Sequence, residues 1–303
     1  MTKAHDKLKN KKSVSLILGS GGARGLAHIG IIRWLEEQGY EIRFVSGSSM
    51  GALVGGVYAA GKLDEFVDWF KKLTNTDILA LTDLAWDRSG LIKGDKLFET
   101  FKDLIGDPNI EDLPIPFTAV ATDIENEKEV WLQTGSLLKA IRASISLPMI
   151  FTPYHLHGMT LIDGGVLNPM PIAPTFSQNN DLSIAVDLAG TPIFDSAKPM
   201  ESEEDIEEDS WLNDITGLFG SLKERFLSKD KTDLGRSFNL DVYEVSNMAF
   251  DSMQNTIARQ KLAAYPPDIT IEIPRNACGM MEFTKVNEMI ALGYRMAQET
   301  LGE

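Results

Sequence analysis

Cysteine is almost missing from this chain of 303 residues, where Cys278 stands alone. A single thiol excludes an internal disulfide framework and a cysteine-cluster zinc site, and it predicts a reducing compartment. Cys278 itself reads as a buried, inert apolar residue. Positive charge is also scarce: 29 Lys and Arg face 44 Asp and Glu, for a formal net charge of -15 and a pI near 4.8. Neutralising phosphates needs a basic face, so a nucleic-acid partner is excluded and strong attraction to an anionic membrane is disfavoured. Long hydrophobic runs are absent too. The basic tail 1–12 leads only into the short run Val14 to Leu18 before glycines intervene. That run is too short for a signal-peptide core, and no later stretch has the length of a membrane span. The expectation is a cytoplasmic protein.

Alternation of short apolar runs with helical patterns dominates what is present. Val14–Leu18 reads as a buried strand, residues 23–38 as a helix closed by Gly39, Ile42–Val45 as a second strand, and residues 50–60 as a small-residue helix. Helical spacing returns over 63–73, 96–105 and 136–144. Strands are predicted at 117–122, 129–132, 160–162, 182–188 and 269–273, with helices over 246–264 and from Thr284. This pattern predicts an α/β fold of three layers, with a largely parallel central sheet covered by helices on both faces. The domain reading is a basic tail 1–12 and one domain 13–303 carrying an acidic and amphipathic insertion at about 191–237. Within that insertion, seven of the nine residues from Glu201 to Asp209 are acidic, the mark of a solvated loop. Behind it Trp211, Leu218, Phe219 and Phe226 recur at helical spacing. They read as a helix packed on the body, with an apolar flap giving peripheral membrane contact as the alternative.

Two glycine-flanked segments carry the chemistry. Gly47-Ser-Ser-Met-Gly51 is a Gly-x-Ser-x-Gly elbow with a β-branched strand before it and a helix after it, the context that exposes a central serine, here Ser49. The helix N-terminus brings its dipole and free N–H groups to that serine. Gly19-Ser-Gly-Gly-Ala-Arg-Gly25 is the other. A dinucleotide fingerprint counted from Gly19 finds Arg24 at its sixth position, and a phosphate loop would need Gly-Lys-Ser/Thr, so neither nucleotide reading survives. As an oxyanion hole the loop makes sense, with the N–H groups of Gly21 and Gly22 as donors and Arg24 as a brace.

A serine nucleophile needs a base, and histidine is scarce: His5, His28, His155 and His157 are the whole supply. In the ordinary α/β-hydrolase the order is serine, acid, histidine, with several strands before the serine. Here only two strands precede Ser49, and the last histidines fall near the middle of the chain. The alternative base is Asp163, at the end of Thr160-Leu-Ile-Asp163 and followed by Gly164-Gly165, which permit close backbone approach. Burial would raise its pKa towards proton-accepting range. Read alone, Asp-Gly-Gly is also a plain turn.

Together these residues resemble the patatin-like phospholipase family, particularly its bacterial members. The resemblance runs through Gly19–Gly25, Gly47–Gly51, Ala143-Ser-Ile-Ser-Leu-Pro148 and Asp163–Gly165. It continues through Met253-Gln254, Ile257-Ala-Arg259 and Pro266-Pro-Asp268. It implies a lipid acyl hydrolase with a Ser–Asp dyad: Ser49 as nucleophile, Asp163 as proton acceptor and Gly21-Gly22 as oxyanion hole. Arg24, Gly25, Gly47, Gly51, Gly164 and Gly165 would support them. No metal and no cofactor are called for, and the partner is a lipid or other ester substrate. One departure stands out: the family often carries glycine where this chain has Ser20. Two rival readings remain at this stage, a soluble carboxylesterase or thioesterase on short acyl chains and a non-catalytic lipid-binding regulator.

Overall fold

The computed structural model describes residues 12–74, 76–77, 81, 92–193 and 234–302. In chain order its strands are β1 Ser13–Leu18, β2 Glu41–Ser48, β3 Phe117–Asp123, β4 Lys128–Leu132, β5 Tyr154–Leu156, β6 Met159–Asp163, β7 Leu182–Gly190 and β8 Ile269–Pro274. The helices are α1 Ala27–Glu37, α2 Met50–Ala59, α3 Leu63–Phe70, α4 Asp95–Ile105, α5 Leu137–Ser144, α6 Leu234–Ala264 and α7 Val286–Leu301. Two compact units divide the chain, Met1–Pro192 with Ser252–Glu303, and Ile193–Asp251. The sheet lies wholly in the first. Of the second, the described residues are Ile193 and the first part of α6.

β1 and β3 are buried at every position, as strands covered on both faces must be. Parallel pairing runs β8-β7-β1-β2-β3. β4 and β6 pair antiparallel with β3, and β5 antiparallel with β6, so the sheet is mixed at this end. Side chains alternate between faces. Leu16 and Leu18 of β1 join Ile184 and Val186 of β7 in the large core with α1, α2 and α7. Ile17 and Ala185 turn the other way, onto Met170, Ile172 and Ala258 of α6. Helices therefore cover both faces, as the α/β reading requires.

Three elements differ from the sequence expectation. The helix expected over 23–38 is a 3₁₀ turn, Gly22–Leu26, followed by α1, because Gly22 has φ 58° and the Ala23 N–H donates to the Met280 carbonyl instead of starting an α-helix. The short strand β5 was not expected at all; it forms a hairpin with β6 through His157 (φ 50°) and Gly158 (φ 78°), the left-handed pair that a two-residue turn demands. α6 begins at Leu234, well before Ser246. Residues 1–11, the acidic run Glu201–Asp209 and the stripe with Trp211, Leu218 and Phe219 lie outside the described residues. Among the described residues no helix is long and apolar enough to cross a membrane. Cys278 is buried, and burial pushes its thiol up to about 11.

Candidate active site

The site begins with an unusual strand arrangement. β2 pairs with the first half of β3, ending at Ser48 opposite Val120. β6 pairs with the second half, ending at Asp163 opposite Ala121. β4 occupies the opposite edge of β3 along Ala119–Asp123. β2 and β6 therefore share one edge of β3 and approach it from opposite directions, so their carboxyl ends meet at adjacent residues. The chain that leaves β2 carries Ser49, and the last residue of β6 is Asp163.

Ser49 has φ 56° and ψ -123°, a left-handed conformation that a non-glycine residue adopts at a strain of roughly 1–3 kcal/mol. Its backbone N–H donates to Ser144 Oγ at 3.0 Å, and Ser144 Oγ donates in turn to the Val120 carbonyl at 2.6 Å. The hydroxyl at the end of α5 thus holds the elbow in its strained form. Gly51 follows from the same close packing: a Cβ there would stand 2.1 Å from the Leu18 carbonyl oxygen. Gly47 is the last but one residue of β2, and its missing side chain leaves room for the turn to fold back on Gly51.

Ser49 Oγ donates to Asp163 Oδ2 at 2.6 Å, a short charge-assisted contact. Asp163 is 1% exposed and Ser49 8%. Burial pushes the Asp163 carboxyl up to about 7, against the opposing pull of hydrogen bonds from Ser49 and from the Gly165 N–H, the latter at 2.7 Å to Oδ1. The Asp163 N–H donates to the Ser146 carbonyl. Gly164 sits so close to β3 that a Cβ would come within 2.0 Å of the Val120 oxygen.

The glycine loop lies beside the elbow, Gly25 packing on Met50. Its backbone bonds run from Gly19 N to Val186 O, Ser20 N to Pro169 O and Ala23 N to Met280 O. Between them, the N–H groups of Gly21 and Gly22 have no protein acceptor among the described residues. Arg24 braces the loop from within: Nε donates to the Gly21 carbonyl at 3.1 Å and Nη1 to the Arg275 carbonyl at 2.9 Å. His28 is fully buried behind it, its Nε2 donating to the Gly19 carbonyl, and burial lowers its pKa to about 4. It is a neutral structural imidazole at physiological pH. His155 and His157 are exposed on the β5–β6 hairpin. None of the described histidines bonds to Ser49.

Sequence reasoning singled out Ala143–Pro148 as a motif without a task for it. Its Ser144 hydroxyl and Ser146 carbonyl hold the backbones of Ser49 and Asp163 respectively. The carbonyls of Arg275 and Met280, which anchor the glycine loop from beyond β8, carried no signal, since any residue supplies a carbonyl. Among the described residues no group of three or more metal-ligating side chains gathers.

An elbow serine is thus bonded to a buried carboxylate where the carboxyl ends of β2 and β6 meet. The chain belongs to the patatin-like phospholipase family, whose model matches residues 16–176, and its chemistry is that of a lipid acyl hydrolase. An uncharacterised NTE family protein of Mycobacterium bovis is 39% identical over 331 residues, spanning 95% of this chain and 91% of the relative. The neuropathy target esterase sws of Drosophila melanogaster is 34% identical over 183 residues, which are 58% of this chain but 13% of the fly protein. Among solved structures, VipD from Legionella pneumophila aligns with a TM-score of 0.47 and 15% identity over 96% of this chain and 67% of its own.

Proposed function

We propose that this protein hydrolyses carboxylic esters of lipids, phospholipids included, through a Ser49–Asp163 dyad. The observation that carries the reading is the 2.6 Å bond between a strained serine and a carboxylate with a pKa near 7. A base poised near neutral pH takes a proton and gives it back at comparable cost. Ser49 Oγ attacks the ester carbonyl carbon and its proton passes to Asp163 Oδ2. The resulting oxyanion accepts hydrogen bonds from the N–H groups of Gly21 and Gly22 and from Met50 at the head of α2, each good donor contributing about 3 kcal/mol. Collapse breaks the bond to the alcohol, which leaves with the proton from Asp163. Water then attacks the acyl-enzyme, Asp163 accepts its proton, and the fatty acid departs as Ser49 regains its hydrogen.

The lipid part of the reading draws on the family and on the NTE relatives, one of which is named as an esterase. Labelling with a serine-directed fluorophosphonate tests the nucleophile: modification of Ser49 is expected, and none in Ser49→Ala. Undiminished labelling of that variant, or a modified residue elsewhere, would sink the assignment. A panel of esters of increasing acyl length, run beside phospholipid vesicles, tests the substrate class. Turnover confined to short soluble esters would favour a soluble esterase instead.

A further inference from the structure

Ser20 lies in the glycine loop and Gln254 in α6, and neither has a part in the proposed reaction. The two meet. Gln254 of α6 is 6% exposed and donates from Nε2 to Ser20 Oγ at 3.4 Å. Both side chains fill the space over Gly165: a Cβ on that glycine would stand 2.3 Å from Gln254 Nε2, 2.5 Å from Ser20 Oγ and 2.9 Å from Ser20 Cβ. Gly165 is also the residue whose N–H holds Asp163 Oδ1. Ser20 is tied to the same loop a second time, its N–H donating to the Pro169 carbonyl at 2.9 Å. One turn beyond Gln254, Ala258 is anchored against Ile17, Met170 and Ile172. The glycine loop, the acid loop and α6 are therefore laced at a single point.

We infer that Ser20 and Gln254 are positioning residues that set the spacing between the glycine loop and the Asp163 loop, so that oxyanion donors and base address the same carbonyl. This rests on the proposed dyad. Neither side chain hydrogen-bonds to Ser49 or Asp163. Their effect is geometric, and a displacement of about 1 Å at such a distance from the chemistry is enough to slow turnover by up to about 100-fold.

The test uses the full chain and four variants: Gln254→Ala, Ser20→Gly, Gly165→Ala, and Gly165→Ala with Ser20→Gly. The readouts are kcat and KM on a p-nitrophenyl ester, the fluorophosphonate labelling rate at Ser49, and the melting temperature. Gln254→Ala and Ser20→Gly are each expected to lower kcat about three- to tenfold, the range of one neutral hydrogen bond, and to slow labelling in parallel with KM and melting little changed. Gly165→Ala crowds both partners and is expected to lower kcat about 30-fold or more. Adding Ser20→Gly removes two of the three nearest crowding atoms, the third being the tip of the Gln254 side chain, and should restore part of the lost rate. Unchanged kcat and labelling in both Gln254→Ala and Ser20→Gly would overturn the inference, as would a double variant no faster than Gly165→Ala. A loss that follows melting temperature alone would overturn it too. If Gly165→Ala does not fold, the first two variants decide by the same criteria. A Ser49→Ala protein with full turnover would instead reject the dyad, so the two failures are distinguishable.

Discussion

Replacing Asp163 by asparagine should make the protein inactive and, at alkaline pH, more stable. A carboxyl held at about 7 in the folded chain, against its ordinary 3.8, binds a proton more tightly folded than unfolded. Between those values the native state carries the extra proton, so stability falls as pH rises. The difference corresponds to about 4 kcal/mol, fully present as a penalty above pH 7 and about 1 kcal/mol at pH 4.5. Asparagine has the same shape, still accepts from the Gly165 N–H, and offers Ser49 a donor in place of an acceptor, but it never has to be charged. At about 2 °C per kcal/mol for a chain of this size, its melting temperature should exceed that of the wild type by about 5–8 °C at pH 8.5. The gap should shrink to about 2 °C at pH 4.5. His28 works in the opposite sense, since its lowered pKa removes stability as pH falls from 6.5 towards 4. It is common to both proteins and cancels in the comparison. The assay is a series of thermal melts from pH 4.5 to 8.5 beside ester turnover. Melting curves that run parallel at every pH, or a less stable asparagine variant at pH 8.5, would refute a buried carboxylate under strain.

In the wild type, kcat/KM should rise with pH through a limb near 7 as Asp163 loses its proton, and a limb near 4 would contradict its burial. Ser144→Ala removes both the acceptor for the Ser49 N–H and the donor to Val120, two buried bonds. A loss of about 1–3 kcal/mol in denaturant melts is expected, together with a drop in kcat of about tenfold. A neutral result would end its role as the elbow's support. Gly51→Ala drives a methyl against the Leu18 carbonyl, backbone that cannot swing aside, and should destabilise by about 1–3 kcal/mol with loss of turnover; a variant that melts normally would show that the elbow has slack.

Local geometry was legible in the sequence where a few contiguous residues decide it. The elbow is such a case, because the strand, the glycines and the helix that shape Ser49 are all within ten residues of it. Asp163 emerged by elimination of the histidines, and the family resemblance strengthened it. What could not be read is how Asp163 arrives. No periodicity records that β6 runs antiparallel to β3 and stops where β2 stops, since register is fixed by partners far away in the chain. β5 escaped notice because three residues make no pattern, although His157-Gly158 was a usable turn signal. The early start of α6 was hidden by Gly235, Ser237, Asn239 and Asp241, all poor helix formers.

The edge of β3 is lined by what amounts to one ladder with a nick in it, and the nick is where Ser49 and Asp163 face each other. An unbroken strand would have used up every backbone group along that edge. Here the break releases several, and each is taken up by hand: the Ser49 N–H and the Val120 carbonyl by the Ser144 hydroxyl, the Asp163 N–H by the Ser146 carbonyl. Val120 and Ala121 act as a splint across the gap, so the serine-to-carboxylate distance is set by the length of one peptide unit in a third strand. Lengthening the loops that lead away from the nick leaves that gauge untouched, whereas adding a single residue to β3 would change it.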